Sequence, residues 1–423
     1  MSGSSIRRTS LRSTALVCVT AIGLGLPQPG FAAERTRTSE RAAFTAAEAA
    51  AARPDGFPAG VRIPGDDPAA FARLLAGARA ASDPWLVLSG GGENGAFAAG
   101  LLKGWSEAGT RPAFGVITGV STGAMIAPFA FVGSGGDEAL RQGYTEISAA
   151  DVFEFGATAE ALTDTWPLKR RIDRSVTPKL LQAIAAEHAK GRRLLVATTA
   201  VDSERPVLWD MGAIAGTGGP KALALFRDII LASSAVPGVF PPVMVEAVAG
   251  SRHIQEMHDD GGTTAPYYLA PEATLLAAHP TPLPTHRVYL VVNNSLAPQF
   301  QMASRTTLSV LGRSMSAAIK AQTRAALALG RSFAERTGLD LRVAEIDGRF
   351  TRTTTAPFDQ DYMKALFFHG EALGRAGTAF RGEARDREAD VETGTPRGKD
   401  GDLPAVSLTG TTGPKEAVEL VRR

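Results

Sequence analysis

The chain has 423 residues, of which 44% are hydrophobic, enough for a sizeable core and for more than one domain. A formal net charge of +2 and an aromatic content of 7%, with no interleaving of aromatic and basic residues, give no electrostatic case for a nucleic-acid partner. The single cysteine, Cys18, falls inside an N-terminal apolar run, so the chain beyond that run has none, which excludes disulfides, thiol catalysis and cysteine-based metal sites there.

Arg7, Arg8 and Arg12 precede the apolar run Thr14–Leu26, and Gly30-Phe31-Ala32-Ala33 supplies small residues for cleavage. This is the layout of a secretory signal peptide over residues 1–33, too short in its apolar part for a spanning helix. Val17 before Cys18 is a poor match to a lipoprotein signal. The expectation is a secreted or periplasmic protein whose mature chain has no transmembrane span and a formal charge of −1. Residues 34–82 form an Ala- and Pro-rich N-terminal extension. Its first part, 34–52, reads as one exposed helix; Pro54, Pro58, Pro64 and Pro68 mark 53–68 as a linker, and Phe71–Ala81 as a short helix.

The organising stretch is Leu86–Gly123. Leu86-Val87-Leu88 is a short apolar strand that stops at Gly90-Gly91-Gly92, and helical spacing resumes at Ala96, Leu101 and Leu102 until Gly109. Phe114-Val116-Ile117 forms the next strand and delivers Gly119-Val120-Ser121-Thr122-Gly123. This pentad is G-x-S-x-G, whose glycines permit the sharp turn that holds a serine hydroxyl above a sheet. An apolar helix, Ala124–Val132, ends at Gly133-Ser134-Gly135-Gly136. Short helices occupy 137–174, including the basic cluster Lys169-Arg170-Arg171, which reads as a solvated face with an anionic membrane surface as its rival. Further on come an amphipathic helix Leu180–Ala189, a strand Arg193–Ala200 with a hairpin partner at Pro206–Trp209, a helix Ala222–Ala232 and a polar turn at Asp259-Asp260-Gly261-Gly262. Arg287–Val292 is a near-continuous apolar strand, as in a sheet covered on both faces. A long helix Thr306–Ala334, a last strand Leu341–Ile346 and a last helix Tyr362–Leu373 complete the series. Apolar content falls after 381, so 381–423 reads as a largely disordered tail. The alternation of strand and helix over 83–380 predicts a three-layer α/β/α sandwich with a mostly parallel central sheet.

Gly90-x-Gly92-x-x-Gly95 matches a dinucleotide fingerprint, but that use requires an acidic residue at the end of the second strand. Here the strand ends in Ile117-Thr118-Gly119, with no carboxylate for a ribose. The other use of such a turn, at a helix N-terminus beside a nucleophile, is to aim backbone N–H groups at an oxyanion. A serine nucleophile needs a base. The histidines after Ser121 are His188, His253, His258, His279, His286 and His369, among which His258 stands out beside Asp259-Asp260; a carboxylate in hydrogen-bond reach can also serve directly.

With Gly90-Gly91-Gly92-Glu93-Asn94-Gly95, Gly119-Val120-Ser121-Thr122-Gly123, Asp260-Gly261-Gly262 and the segment Ala232-Ser233-Ser234-Ala235-Val236-Pro237…Phe240-Pro241-Pro242, the chain resembles the patatin-like acylhydrolases, bacterial patatin-like phospholipases in particular. The resemblance spans roughly 84–265. It implies a Ser–Asp dyad with Ser121 as nucleophile and Asp260 as base, an oxyanion hole of N–H groups from Gly90, Gly91 and Gly92, and hydrolysis of acyl esters of phospholipids or related lipids with no metal or cofactor. One departure is Asn94, where the family usually carries Arg or Lys. Alternatives are a non-catalytic lipid- or partner-binding protein on the same scaffold, and an esterase of small acyl substrates.

Overall fold

The computed structural model describes residues 41–78, 83–156, 158 and 160–380; the expected signal peptide at 1–33 and tail at 381–423 lie outside the described residues. In chain order the first elements are α1 (Ala46–Ala51), β1 (Arg53–Pro54), β2 (Arg62–Pro64), α2 (Pro68–Ala76), β3 (Trp85–Leu88), α3 (Gly95–Glu107), β4 (Val116–Gly119), α4 (Thr122–Phe131) and α5 (Asp137–Thr145). There follow β5 (Glu154–Phe155), β6 (Thr163–Asp164), α6 (Trp166–Ser175), α7 (Pro178–Ala189), β7 (Arg193–Ala200), β8 (Arg205–Asp210), α8 (Met211–Thr217) and α9 (Gly219–Ala232). The remainder is β9 (Val243–Ala249), β10 (Arg252–Asp260), α10 (Glu272–Leu276), β11 (Arg287–Val292), α11 (Thr307–Thr337), β12 (Asp340–Glu345) and α12 (Gln360–Ala376).

The main sheet runs β1-β9-β10-β7-β4-β3-β11-β12, with β8 and β2 branching from β7. Strands β7, β4, β3, β11 and β12 are mutually parallel; beyond β7 the sheet continues antiparallel through β10, β9 and β1, and through β8 and β2. The parallel strands are buried on both faces, which explains their apolar runs. Their side chains alternate between two cores. Leu86, Leu88, Ile117, Leu194, Val196 and Val291 face the helices α3, α4, α7, α8, α9 and α12. Trp85, Val87, Val116, Leu195, Val288 and Leu290 face α2 and α11. The three-layer α/β/α arrangement follows from this alternation.

Residues 53–68, read from their prolines as a linker, are instead stitched into the sheet: Arg53 pairs with Val248, and Arg62, Ile63 and Pro64 pair with Trp209, Leu208 and Val207. Proline is tolerated because these are edge strands, where the missing N–H costs no ladder bond. The β9–β10 hairpin, which carries Asp259-Asp260 at its end, is a further element beyond the sequence reading. Among the described residues no helix is long and apolar enough to cross a membrane.

Candidate active site

Both glycine-rich turns leave the sheet at the carboxyl ends of adjacent parallel strands. β3 feeds the 90–94 turn and α3, and β4 feeds Ser121 and α4. Ser121 sits at φ 56° and ψ −124°, a conformation that costs a non-glycine residue about 1–3 kcal/mol and holds its side chain away from the strand it follows. The elbow closes tightly enough that a Cβ on Gly119 would lie 2.5 Å from Gly123 O, and one on Gly123 2.4 Å from Leu88 O. Both positions therefore demand glycine.

Register brings Asp260 to the same level. Gly119 pairs with Val196 on β7, and Asp260 pairs with Thr198, two residues further along β7. Two residues beyond Gly119 is Ser121, so Ser121 and Asp260 end their strands opposite one another across β7. Burial pushes the Asp260 carboxyl up to about 7, while the neighbouring Ser121 hydroxyl and the Gly262 amide act in the opposite sense. The Gly262 N–H reaches Asp260 Oδ1 at 2.7 Å.

The 90–94 turn faces this pair from the other side. A Cβ on Gly90 would lie 3.2 Å from Ser121 Cβ. Of the turn's amides, that of Gly90 is donated to Pro266 O at 3.0 Å, which leaves the N–H groups of Gly91 and Gly92 as the ones that can turn toward a developing charge. Gly91 adopts φ 154° directly against Asn293, where a Cβ would come within 2.1 Å of the Asn293 carbonyl.

The description Patatin-like phospholipase belongs to the family model that matches residues 86–271, a span holding the glycine turn, Ser121 and Asp260. This stretch is a patatin-like phospholipase domain. The crystal structure of VipD from Legionella pneumophila is similar at 10% identity and a TM-score of 0.36, over 70% of this chain and 67% of that one. No curated protein matches the chain.

Within the patatin-like domain His258 is fully buried and burial lowers its pKa. Its Nδ1 lies 3.0 Å from Thr198 Oγ1, which also accepts the Trp209 indole N–H at 2.8 Å, and its Nε2 lies 3.7 Å from Glu256 Oε2. Glu256 in turn is salt-bridged to Arg62 at 2.6 Å. Both ring nitrogens therefore face a buried polar spine that ties β2, β7, β8 and β10 together, away from Ser121. Asp259 projects from the opposite side of β10 to Asp260; burial pushes its carboxyl up to about 6.

Asn94, the departure from the family pattern, is anchored: its Oδ1 accepts the Tyr362 hydroxyl of α12 at 2.8 Å. Glu93 beside it is raised above the usual carboxylate range by desolvation. Three further residues support the site; Ser233 lies in the family-like segment 232–237 without a role read from it, and Asn293 and Tyr144 carried no recognisable signal in the sequence. Asn293, fully buried at the end of β11, donates from Nδ2 to Ser89 O at 3.0 Å, accepts the Ala98 amide on Oδ1 at 3.2 Å and donates its own amide to Ser89 Oγ at 2.8 Å. Ser233 accepts the Ser121 amide, and Tyr144 forms a hydrogen bond with Thr122 Oγ1, the residue after Ser121.

Proposed function

We propose that the patatin-like domain is a serine acylhydrolase that cleaves acyl esters of phospholipids or related lipids, with Ser121 as nucleophile and Asp260 as its base. The observation that carries this reading is the placement of Ser121 and Asp260 at strand ends opposite one another across β7, with burial pushing the Asp260 carboxyl up to about 7 and the Ser121 hydroxyl close enough to act on it in the opposite sense. A base poised near neutrality takes a proton at working pH and returns it in the next half-reaction. In the forward step Ser121 Oγ attacks the ester carbonyl carbon and its proton passes to Asp260. The carbonyl oxygen becomes an oxyanion facing the Gly91 and Gly92 amides. Collapse breaks the carbon–oxygen bond to the alcohol, which leaves as the lysolipid after taking the proton from Asp260. Water, deprotonated by Asp260, then attacks the acyl-Ser121 ester; the acyl–Oγ bond breaks, Ser121 Oγ takes the proton back from Asp260, and the fatty acid is released. The chemistry needs no metal.

The arrangement around Asn94 supports a working site. Its hydrogen bond to Tyr362 supplies the anchoring of the turn that the family's usual cation would otherwise give. The N-terminal signal layout supports export, so the proposed substrates are lipids outside the cytoplasm.

Labelling of the full chain with a fluorescent fluorophosphonate, alongside fatty-acid release from mixed phospholipids, tests the proposal. Wild type is expected to label and to release fatty acid and lysolipid, and Ser121→Ala to do neither. Equal labelling of the two proteins, or lipid binding by wild type without release, would replace the enzyme with a non-catalytic lipid binder.

A further inference from the structure

Between Asn293 and Ala334 the chain has no Asp or Glu, yet it carries Arg305, Arg313, Lys320, Arg324 and Arg331. This stretch begins where β11 ends, immediately behind the Gly91 turn, and comprises the 294–306 loop and most of α11. α11 has 31 residues, about 46 Å of helix at 1.5 Å per residue, whereas β11 with 6 residues spans only about 20 Å. The helix runs back from the carboxyl end of the sheet to the start of β12, so its excess length projects at the catalytic end. Burial agrees: none of residues 309–319 is buried, while Lys320, Thr323, Leu327, Phe333 and Ala334 are.

Three cations of this helix stitch the loop down. Arg324 donates to Leu296 O at 2.9 Å, Lys320 to Ala297 O and Gln299 Oε1 at 3.2 Å each, and Arg313 to Gln299 O at 2.8 Å and Gln301 Oε1 at 3.2 Å. Every partner is neutral. Burial and the neighbouring charges of Arg313 and Arg324 lower the Lys320 pKa, the mark of cations gathered without a counter-ion. With its carbonyls turned inward, the loop presents Phe300 at 93% and Met302 at 80% exposure, and Val310 follows on the free part of the helix at 52%. Gln322 of the same helix reaches Thr264 O, in the turn that follows Asp260.

We infer that the 294–306 loop and the projecting half of α11 form a docking surface for an anionic lipid bilayer, with Phe300 and Met302 entering the interface, Arg305, Arg313 and Arg324 meeting the head groups, and the buried Lys320 adding its charge to the field behind the loop. The choice of partner rests on the lipid-hydrolase reading above. Charge and apolarity fit it together: an acid-free basic stretch is attracted to anionic lipid, and exposed apolar side chains on a braced loop have a favourable place to go only in an apolar phase. Docking there brings the carboxyl end of the sheet, where Ser121 and Asp260 sit, to the membrane.

The test uses the full chain with Cys18→Ser and Ser121→Ala, so that lipid cannot be consumed, and an environment-sensitive nitrobenzoxadiazole dye placed through Phe300→Cys or, as control, through Leu276→Cys, an exposed apolar position on α10. Vesicles are phosphatidylcholine alone, or phosphatidylcholine and phosphatidylglycerol in equal parts. The dye at position 300 is expected to brighten severalfold with anionic vesicles, weakly with neutral ones and not at position 276. Adding Arg313→Gln and Arg324→Gln is expected to raise the lipid needed for half response by about thirtyfold, from roughly fivefold per basic residue. No response at position 300, an equal response to neutral vesicles, or an unchanged midpoint in the Gln variant overturns the inference. Brightening at position 300 that rises with protein concentration in the absence of lipid overturns it in favour of a second copy of the chain. Because binding is read without turnover, failure of the hydrolase reading appears separately, in the labelling of Ser121.

Discussion

Ser233 Oγ accepts the backbone N–H of Ser121 at 3.0 Å and donates to Ala197 O at 2.7 Å, so the hydroxyl at the end of α9 fastens the nucleophile to β7. Two residues later, Ala235 O accepts the amide of Asp260 at 2.9 Å. One turn of chain thus fixes the backbone of both members of the proposed dyad, and their separation is set by the rigid end of a buried helix. Ser233→Ala removes the bridge and leaves a buried amide and a buried carbonyl unpaired. The expected cost is about 1–3 kcal/mol in stability and roughly tenfold in kcat, with KM little changed, because the loss falls on positioning. Ser233→Thr, which keeps the hydroxyl, is expected to recover most of the rate. Steady-state kinetics and thermal melts of the two variants decide it; a Ser233→Ala protein with wild-type kcat would show that the bridge holds only the fold.

The Asp260 carboxyl makes activity and stability respond oppositely to pH. Its folded pKa, raised by burial to about 7 from an ordinary 3.8, means that the base form grows in as pH rises, so kcat/KM is expected to climb through a limb near pH 7. For stability, the folded state holds a proton that the unfolded state has released between about pH 4 and 7. The contribution is present below the unfolded pKa and is lost as pH rises through the folded one. Asp260→Asn has no such proton to lose. It is expected to abolish turnover and, at pH 8, to be more stable than wild type, by at most about 4 kcal/mol for a shift of three pKa units. The difference should close as pH falls to 4. Denaturant melts of both proteins at the two pH values check this, and a wild type as stable as Asp260→Asn at pH 8 would mean that the carboxylate is not strained by its site. His258→Ala, by contrast, is expected to lower stability through the buried spine while keeping the activity limb near pH 7 in the folded protein.

Backbone strain at Ser121 can be separated from its chemistry. At φ 56° an alanine side chain is as unfavourable as a serine's, whereas glycine adopts this conformation freely. Both Ser121→Ala and Ser121→Gly should be inactive, but the glycine variant is expected to be the more stable by about 1 kcal/mol, the relief of strain exceeding the added entropy of its unfolded chain. Equal stability of the two would remove strain from the account of the elbow.

The core strands were legible in the sequence because parallel strands buried on both faces are written as apolar runs. Arg287–Val292 and Arg193–Ala200 coincide with β11 and β7. The Ser121 elbow and the glycine turn were legible for a different reason, since tight turns restrict residue type. What stayed hidden depends on pairing at long range. The β9–β10 hairpin joins a mostly apolar strand to a mostly polar one through a Gly250-Ser251 turn, with no clean alternation, and its place beside β7 comes only from the ladder between His258–Asp260 and Thr198–Ala200. The prolines of 53–68 pointed to a linker because propensity is local, whereas the strand partners lie about 140 to 200 residues away. His258 stood out among the histidines for its place beside Asp259-Asp260, but alternation along β10 places it on the Asp260 face with the ring drawn into the Thr198–Trp209–Glu256 spine. Asn293 and Tyr362 act through the folded contact alone, and an asparagine after a strand or a tyrosine on a helix carries no pattern.

Asn293 and Tyr362 give the proposed oxyanion turn two supports that can be removed one at a time. Asn293 clamps Ser89 and the first turn of α3 by three hydrogen bonds, while its carbonyl lies against Gly91. Tyr362 holds Asn94 through a single one. Asn293→Ala leaves Ser89 O and the Ala98 amide buried without partners, and is expected to cost about 2–4 kcal/mol in stability together with a large fall in kcat. Tyr362→Phe keeps the packing and removes only the hydroxyl, so the expected loss is about 1 kcal/mol in stability and severalfold in kcat, with fluorophosphonate labelling slowed in proportion. Labelling rate is the decisive readout, because phosphonylation builds charge on the oxygen that faces the Gly91 and Gly92 amides. If Tyr362→Phe labels Ser121 at the wild-type rate, the turn does not depend on Asn94 for its position, and the place of the family's missing cation is taken by Asn293 alone.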